Sequence, residues 1–139
     1  MPTPIRYDSI GLDLSKRFPV TTTVGASPAL AAETIIGTLT IPSFADISVV
    51  SGIVVQGWAA YTVGTSGTAV QLRIRQTNVS GTVVVATGAL TRAAGNLAAD
   101  DVNGFDSGAG VGTYVLTMQV TAGAAASTVS ALYLGAIIV

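Results

Sequence analysis

The stretch of sequence that decides the fold is Thr68-Ala69-Val70-Gln71-Leu72-Arg73-Ile74-Arg75-Gln76. Apolar and polar residues alternate along it, and successive side chains of a β-strand point to opposite faces of a sheet. The pattern therefore predicts a half-buried strand in which Val70, Leu72 and Ile74 face a core. Arg73 and Arg75 are predicted to face outward.

The same period of two recurs along the chain, and turn residues separate the stretches at intervals of about ten positions. These stretches predict strands at Val20–Val24, Glu33–Ile41, Ile47–Val63, Thr68–Gln76, Thr82–Thr87, Leu90–Leu97, Thr113–Thr121 and Ser127–Val139. The spacing is typical of an all-β protein and predicts a single antiparallel, jelly-roll-like β-sandwich over residues 20–139. An immunoglobulin-like sandwich is the alternative topology.

Local details of these strands can also be predicted. The alternation in Glu33–Ile41 places Ile35, Leu39 and Ile41 on one face. In Thr113–Thr121 the residues that share one face are Tyr114, Leu116, Met118 and Val120. Helical turns are predicted only where alanines cluster with a leucine. The two such segments are Pro28–Glu33 and Ala93–Asp100.

The composition excludes several classes of protein. Only 9% of the 139 residues are charged, so the chain lacks the basic surface of a nucleic-acid-binding protein. Cysteine and histidine are absent, which excludes thiolate nucleophiles, imidazole bases and metal sites built from those residues. The chain starts without the apolar segment of a secretory signal, and polar residues interrupt its uncharged stretches, so we expect no membrane partner.

Residues 1–19 form a separate compositional zone, because they contain many of the charged residues and two early prolines. Pro2 and Pro4 favour an extended backbone. We predict an N-terminal arm that lies on a neighbouring surface and buries apolar side chains there. These side chains are Ile5, Tyr7, Ile10, Leu12, Leu14 and Phe18.

Two predicted strands carry apolar residues on both faces. In Ile47–Val63, Val55 and Tyr61 share one face, and Val54 and Trp58 share the other. In the last strand the alternation groups Val129, Ala131, Tyr133 and Ile137 on one face, opposite Leu132, Leu134, Ala136 and Ile138. A chain of this size has one core, so we expect the second face to be buried against another copy.

Three residues of the strands are candidates for this subunit interface. Trp58 is expected in the core or in the interface, since a single aromatic residue does not form a sugar-binding platform. Arg73 and Arg75 share one strand face, where they either contact an acidic group of a partner or form a polar outer surface.

The acidic cluster of the chain is Asp100-Asp101-Val102-Asn103-Gly104-Phe105-Asp106. Oxygen atoms of Asp101, Asn103 and Asp106 could bind Ca²⁺, but the spacing is not that of an EF-hand, and such residues favour turns. We therefore predict a solvated loop. Asp100 and Asp101 are adjacent and would point to opposite faces of a strand, so they do not form an acid–base pair. We predict a protein that is not an enzyme and has no cofactor or metal.

Four segments carry a resemblance to a known group of proteins: Glu33–Pro42, Val54–Trp58, Gly67–Arg75 and Tyr114–Val120. In style and order they resemble the small β-rich virion proteins of tailed bacteriophages, especially capsid decoration and minor head proteins. The resemblance implies a homotrimer that stabilises a phage head and sits on the capsid surface after assembly in the host cytoplasm. It also implies an arm that grips a neighbour and the major capsid protein as a partner.

Two other interpretations of the sequence remain open. The first is a receptor-binding or fibre-tip module of a virion, whose loops at one end would bind sugar or protein. The second is a trimeric jelly-roll domain of the tumour-necrosis-factor-like type, although no collagen-like stalk precedes it.

Overall fold

The structure is a computed structural model that describes residues 20–22, 32–41, 52–64, 69–107, 112–121 and 127–139. The predicted arm over residues 1–19 lies outside the described residues. So do most of the predicted helical turn at Pro28–Glu33 and the start of the predicted strand at Ile47–Val63.

The described chain contains nine strands. They are β1 (Val20–Thr22), β2 (Thr34–Thr40), β3 (Ile53–Thr62), β4 (Ala69–Gln76), β5 (Val83–Ala86), β6 (Leu90–Thr91), β7 (Leu97–Asp106), β8 (Thr113–Thr121) and β9 (Thr128–Ile138). One sheet has the order β1-β2-β8-β4-β5, with β6 paired to β4, and the other has the order β7-β3-β9. All strand pairs are antiparallel.

The chain crosses repeatedly between the two sheets. Strands β2, β3 and β4 lie in alternate sheets, and so do β7, β8 and β9. Such crossings are typical of Greek-key and jelly-roll-like sandwiches, in which the inner faces of two sheets enclose the core. The structure confirms the predicted all-β, antiparallel sandwich.

The core lies between the two sheets and follows the predicted alternation. Val70, Leu72 and Ile74 of β4 are fully buried. The inward residues of β8 are also buried, as predicted for Tyr114, Leu116, Met118 and Val120. From the second sheet, β3 contributes the side chains of alternate residues, with Gly57 as the one position that has no side chain. These residues are Ile53, Val55, Ala59 and Tyr61.

Gly57 of β3 lies where the two sheets approach closely. A Cβ atom at this position would lie 2.9 Å from Leu116 Cδ1 and 3.2 Å from Val102 Cγ1. A side chain at this position would force neighbouring core side chains such as Leu116 to shift. A bend or bulge at Gly57 is not observed, since the pairing of β3 with β7 is uninterrupted.

Two β-bulges place side chains on a different face from the one predicted. In β2 the register shifts between Ile35 and Gly37, so Ile36 is fully buried, whereas Ile35 pairs with Thr117 and is only partly buried. In β9 the partners of Ala60 and Tyr61 are Ala131 and Val129. The extra residue, Ser130, reverses the alternation.

The bulge in β9 changes the predicted grouping. Val129 points into the core and is fully buried, whereas Ala131, Tyr133 and Ile137 lie on the opposite side. The prediction that these four residues share one face is therefore wrong. A single inserted residue causes the error, because the side-chain period of a strand is two.

The segment from Leu90 to Asp106 also differs from the prediction. Only Leu90–Thr91 forms a strand in the first half, and a turn with Gly95 at φ +76° follows it. Leu97–Asp106 is a strand that pairs along its whole length with β3. The helical turn predicted at Ala93–Asp100 and the solvated loop predicted at Asp100–Asp106 are therefore wrong. Tertiary pairing here overrides the turn preference of Asp, Asn and Gly.

Candidate interaction surface

The side of the β7-β3-β9 sheet that faces away from the core is the candidate functional site, and we call it the outer face. It consists of the alternate residues that the strand pairing places opposite the core positions. On β3 these are Val54, Gln56, Trp58, Ala60 and Thr62. On β7 they are Leu97, Ala99, Asp101, Asn103 and Phe105, and on β9 they are Thr128, Ala131, Tyr133, Gly135 and Ile137.

Large apolar side chains are exposed on the outer face. Trp58 is 36% exposed, Tyr133 37%, Ile137 44%, Phe105 52% and Leu97 70%. Soluble monomers rarely expose contiguous apolar patches larger than a few hundred Å², and larger patches mark interaction sites. Five large apolar side chains exposed on one sheet face make the outer face the candidate interaction surface.

Trp58 lies at the centre of the outer face. Its partners across the sheet are Asp101 on β7 and Tyr133 on β9. The Tyr133 ring extends over Gly135, where a Cβ atom would collide with it. Asn103 donates a hydrogen bond from Nδ2 to Asp101 Oδ2 at 3.0 Å. An indole, a phenol, a carboxylate and an amide thus lie together on one flat surface.

Asp101 is the one charged side chain among the residues of the outer face defined above. The face is therefore almost neutral. Desolvating it would cost little charge-burial energy, because the polar groups other than Asp101 are amides and hydroxyls.

Arg73 and Arg75 lie on the outward side of the other sheet, as predicted, and both bind Glu33. Arg73 Nη1 donates to Glu33 Oε2 at 3.0 Å, and Arg75 Nε donates to Oε1 at 2.6 Å. Thr117 donates its hydroxyl to the same carboxylate. Arg73 also donates to Gln119 Oε1 at 2.8 Å, and Arg75 to the carbonyl oxygen of Gly81 at 2.9 Å.

This cluster joins three strands or their flanking residues, since Glu33 precedes β2, the arginines belong to β4 and Thr117 to β8. Burial alone would raise the pKa of Glu33, but hydrogen bonds from Arg75 and Thr117 and the charges of both arginines outweigh it. The pKa of Glu33 is therefore lowered. The geometry matches a structural ion-pair network within the chain.

The two inward carboxylates of β7 are also bound within the chain. Asp100 accepts hydrogen bonds from Tyr61 Oη and Arg92. Burial and then the hydrogen bond to Asp100 raise the pKa of Tyr61 to about 12. Asp106 accepts from Gln76 Nε2 at 2.5 Å and from Tyr114 Oη at 2.9 Å.

The three oxygen donors considered for Ca²⁺ are not brought together. Asp101 and Asn103 lie on the outer face, whereas Asp106 is 8% exposed and points toward the core side of the strand. Because side chains alternate along β7, Asp106 lies on the opposite face from Asp101 and Asn103. Among the described residues, no group of three or more acidic, histidine or cysteine side chains could hold a metal ion.

A cavity of about 430 Å³ opens beside the start of β7. Residues lining it include Thr91, Arg92, Asn96 and Leu97. Its one charged group, the Arg92 guanidinium, is bound to Asp100. The lining holds neither a nucleophile paired with a base nor a pair of carboxylates, so it offers no catalytic constellation.

Sequence reasoning found part of the outer face and missed part. It identified Trp58, Tyr133 and Ile137 as members of apolar faces, but it did not select Phe105 or Leu97. Both lie in the segment whose Asp, Asn and Gly residues indicated a loop. The arm residues Ile5, Tyr7, Ile10, Leu12, Leu14 and Phe18 lie outside the described residues.

Comparisons with known proteins give few matches. No family model matches the chain, and no curated protein matches it. One solved structure, described as "Structure of infectious bursal disease virus Gx strain", is similar at 11% sequence identity with a TM-score of 0.47. The match covers 89% of this chain and 31% of that chain, so the chain spans less than a third of its length. In the described ranges, no helix is long and apolar enough to cross a membrane.

Proposed function

We propose that the chain is a non-enzymatic structural subunit of a virion that self-associates and stabilises a phage head as a decoration, cement or minor capsid protein. The observation that carries the proposal is the outer face, where Trp58, Tyr133, Phe105, Ile137 and Leu97 are all exposed on one nearly uncharged sheet. A subunit that must bury apolar area between copies needs such a surface.

The ionisable groups of the described residues support a structural role. Every Arg, Asp and Glu side chain in these residues has a partner in the same chain. The contacts join strands to one another, as Glu33 joins β4 and β8. Such contacts stabilise the sandwich and leave no acid–base pair poised for a substrate.

The composition supports an assembled state. Only 9% of the residues are charged, compared with about 25% in an average soluble domain. A low density of surface charge favours association over colloidal stability. A homotrimer on a capsid surface, held by the N-terminal arm and bound to the major capsid protein, is the form that the resemblance to phage head proteins implies.

Light scattering of the purified full chain, with and without residues 1–19, tests this proposal. We expect a defined oligomer in both samples at concentrations of about 50 µM, because the outer face is outside the arm. A monodisperse monomer at this concentration would overturn the self-association on which the proposal depends.

A receptor-binding or fibre-tip module is the second candidate function, and the central row of the outer face favours it. Trp58 and Tyr133 are adjacent and exposed, and Asp101, Asn103 and Gln56 surround them with hydrogen-bonding groups. Aromatic rings with a few convergent polar groups are typical of ligand sites. Titration of Trp58 fluorescence with a panel of oligosaccharides tests it. Saturable quenching in the wild-type protein that a Tyr133→Ala variant lacks would support it.

A further inference from the structure

The rows of the outer face suggest how one copy meets another. Each residue of β3 lies between one residue of β7 and one of β9, at the same height along the strand. From one end, the rows are Phe105–Val54–Ile137, Asn103–Gln56–Gly135, Asp101–Trp58–Tyr133, Ala99–Ala60–Ala131 and Leu97–Thr62–Thr128.

We propose that the outer face packs against the same face of a second copy about a two-fold axis that runs along β3. The inference deepens the proposed function and rests on its self-association. With this axis, β7 of one copy lies opposite β9 of the other, and each row faces its own equivalent. β3 lies opposite β3.

Side-chain size and polarity match in two rows of such a contact. Phe105 lies opposite Ile137 of the second copy, which pairs two apolar side chains. Ala99 lies opposite Ala131 of the second copy, which pairs two small side chains, and in the last row Leu97 lies opposite Thr128. Sheets that pack face to face lie about 10 Å apart and tolerate a twist of about 30° between their strands.

Charge selects this axis over the other one that would stack the two faces. With an axis along β3, the carboxylate of Asp101 lies opposite the Tyr133 phenol of the second copy and can accept a hydrogen bond from it. With an axis across the strands through the Trp58 row, β7 would face β7. Asp101 would then lie opposite its own equivalent, and two like charges in a desolvated contact disfavour association.

The area of the face fits a modest interface. Strands of about ten residues at about 3.4 Å per residue and three strands at about 4.8 Å give a flat footprint of roughly 500 Å² per copy. Stable interfaces bury about 800 Å² per partner, so this contact alone predicts concentration-dependent association.

The symmetry restricts the assembly. A two-fold contact of identical faces is closed, so an assembly that contains it has an even number of copies. A dimer is compatible with the contact, and so is a hexamer in which two copies of the homotrimer that the resemblance implies pair through this face.

Cross-linking tests the axis, and the absence of cysteine makes single-cysteine variants unambiguous. Ala99→Cys and Ala131→Cys variants, one of them with a longer tag, are mixed, allowed to exchange and treated with a short bismaleimide. We expect the mixed adduct to exceed each of the two like adducts by at least fivefold. Val79→Cys is the control for random collision, because it is exposed in a turn outside the outer face.

Three results would overturn the inference. Like adducts of either variant that equal or exceed the mixed adduct would contradict the axis along β3. An oligomer whose adducts do not exceed the Val79→Cys control would show that copies meet through another surface, and the proposed function would stand. A monomer by light scattering would overturn both the inference and the self-association.

Discussion

Trp58 and Tyr133 face each other across neighbouring strands at the centre of one sheet, and each exposes more than a third of its surface. Tyr133 occupies this position only because Ser130 forms a bulge that shifts the register of β9. The exposed aromatic pair is therefore a consequence of one inserted residue. It places two aromatic rings at the centre of the outer face, where a lone subunit leaves them partly exposed to water.

Removal of the Trp58 ring should weaken self-association without unfolding the chain. We expect Trp58→Ala to raise the dissociation constant about 30-fold, the effect of losing about 2 kcal/mol at an interface hot spot. Light scattering over a dilution series measures it. Val79→Ala is the matched control, because Val79 is 38% exposed and lies outside the outer face. An equal weakening by both variants would contradict a specific role of Trp58.

Substitution of Glu33 should destabilise the fold. Glu33→Gln removes the carboxylate that holds Arg73 and Arg75, and we expect a loss of about 2–3 kcal/mol in the free energy of unfolding at pH 7. Urea unfolding measures it. Asp101→Asn removes an exposed carboxylate and is the control, with an expected change within about 0.5 kcal/mol.

Acid should remove the stabilisation that the Glu33 carboxylate gives the wild-type protein. The pKa of Glu33 is lower in the folded chain than in the unfolded chain, so its contribution is present above the unfolded pKa and is lost as the pH falls through the folded one. The stability difference between wild type and Glu33→Gln should therefore shrink as the pH is lowered from 7 into the acid range. A difference that does not change with pH would contradict the ion-pair network.

Alkali should destabilise the fold by deprotonating Tyr61. The pKa of Tyr61 is about 12 in the folded chain and exceeds the ordinary value of 10. The protonated phenol therefore stabilises the fold below pH 10, and this stabilisation is lost between about pH 10 and 12. Tyr61→Phe should lose stability less steeply over that range. Urea unfolding at a series of alkaline pH values measures this, and identical slopes for the two proteins would refute the assignment.

A methyl group at Gly57 should separate the two sheets. Its Cβ would lie 2.9 Å from Leu116 Cδ1 and 3.3 Å from Ile74 Cδ1, so we expect Gly57→Ala to cost about 1–3 kcal/mol in thermal or urea unfolding. Gly88→Ala is the control, because a Cβ there meets nothing within 4 Å. Its stability should change by less than about 0.5 kcal/mol.

Much of the fold could be predicted from the period of apolar residues. The alternation in β4 and β8 identified the core residues Val70, Leu72, Ile74, Leu116 and Met118. Long regular strands with one buried face carry this signal clearly, because their register is fixed by what they bury.

The bulges and β7 could not be predicted in the same way. Ile36 and Ser130 interrupt an otherwise regular alternation, and nothing in their residue types marks the insertion. β7 contains residues that favour turns when alone, and its pairing with β3 outweighs that preference. The outer face depends on both features, so the sequence predicted an apolar second face but only part of its membership.

Quenching of Trp58 fluorescence by acrylamide reports directly on burial of the outer face, because Trp58 is the one tryptophan of the chain. We expect the quenching constant to fall at least twofold between about 0.5 µM and about 50 µM protein, as the outer face becomes buried. An Ile137→Asp variant, which keeps Trp58 but places a charge on the face, should show no such fall. If light scattering reports a monomer at the lower concentration and an oligomer at the higher one, an unchanged wild-type quenching constant would contradict burial of the outer face between copies.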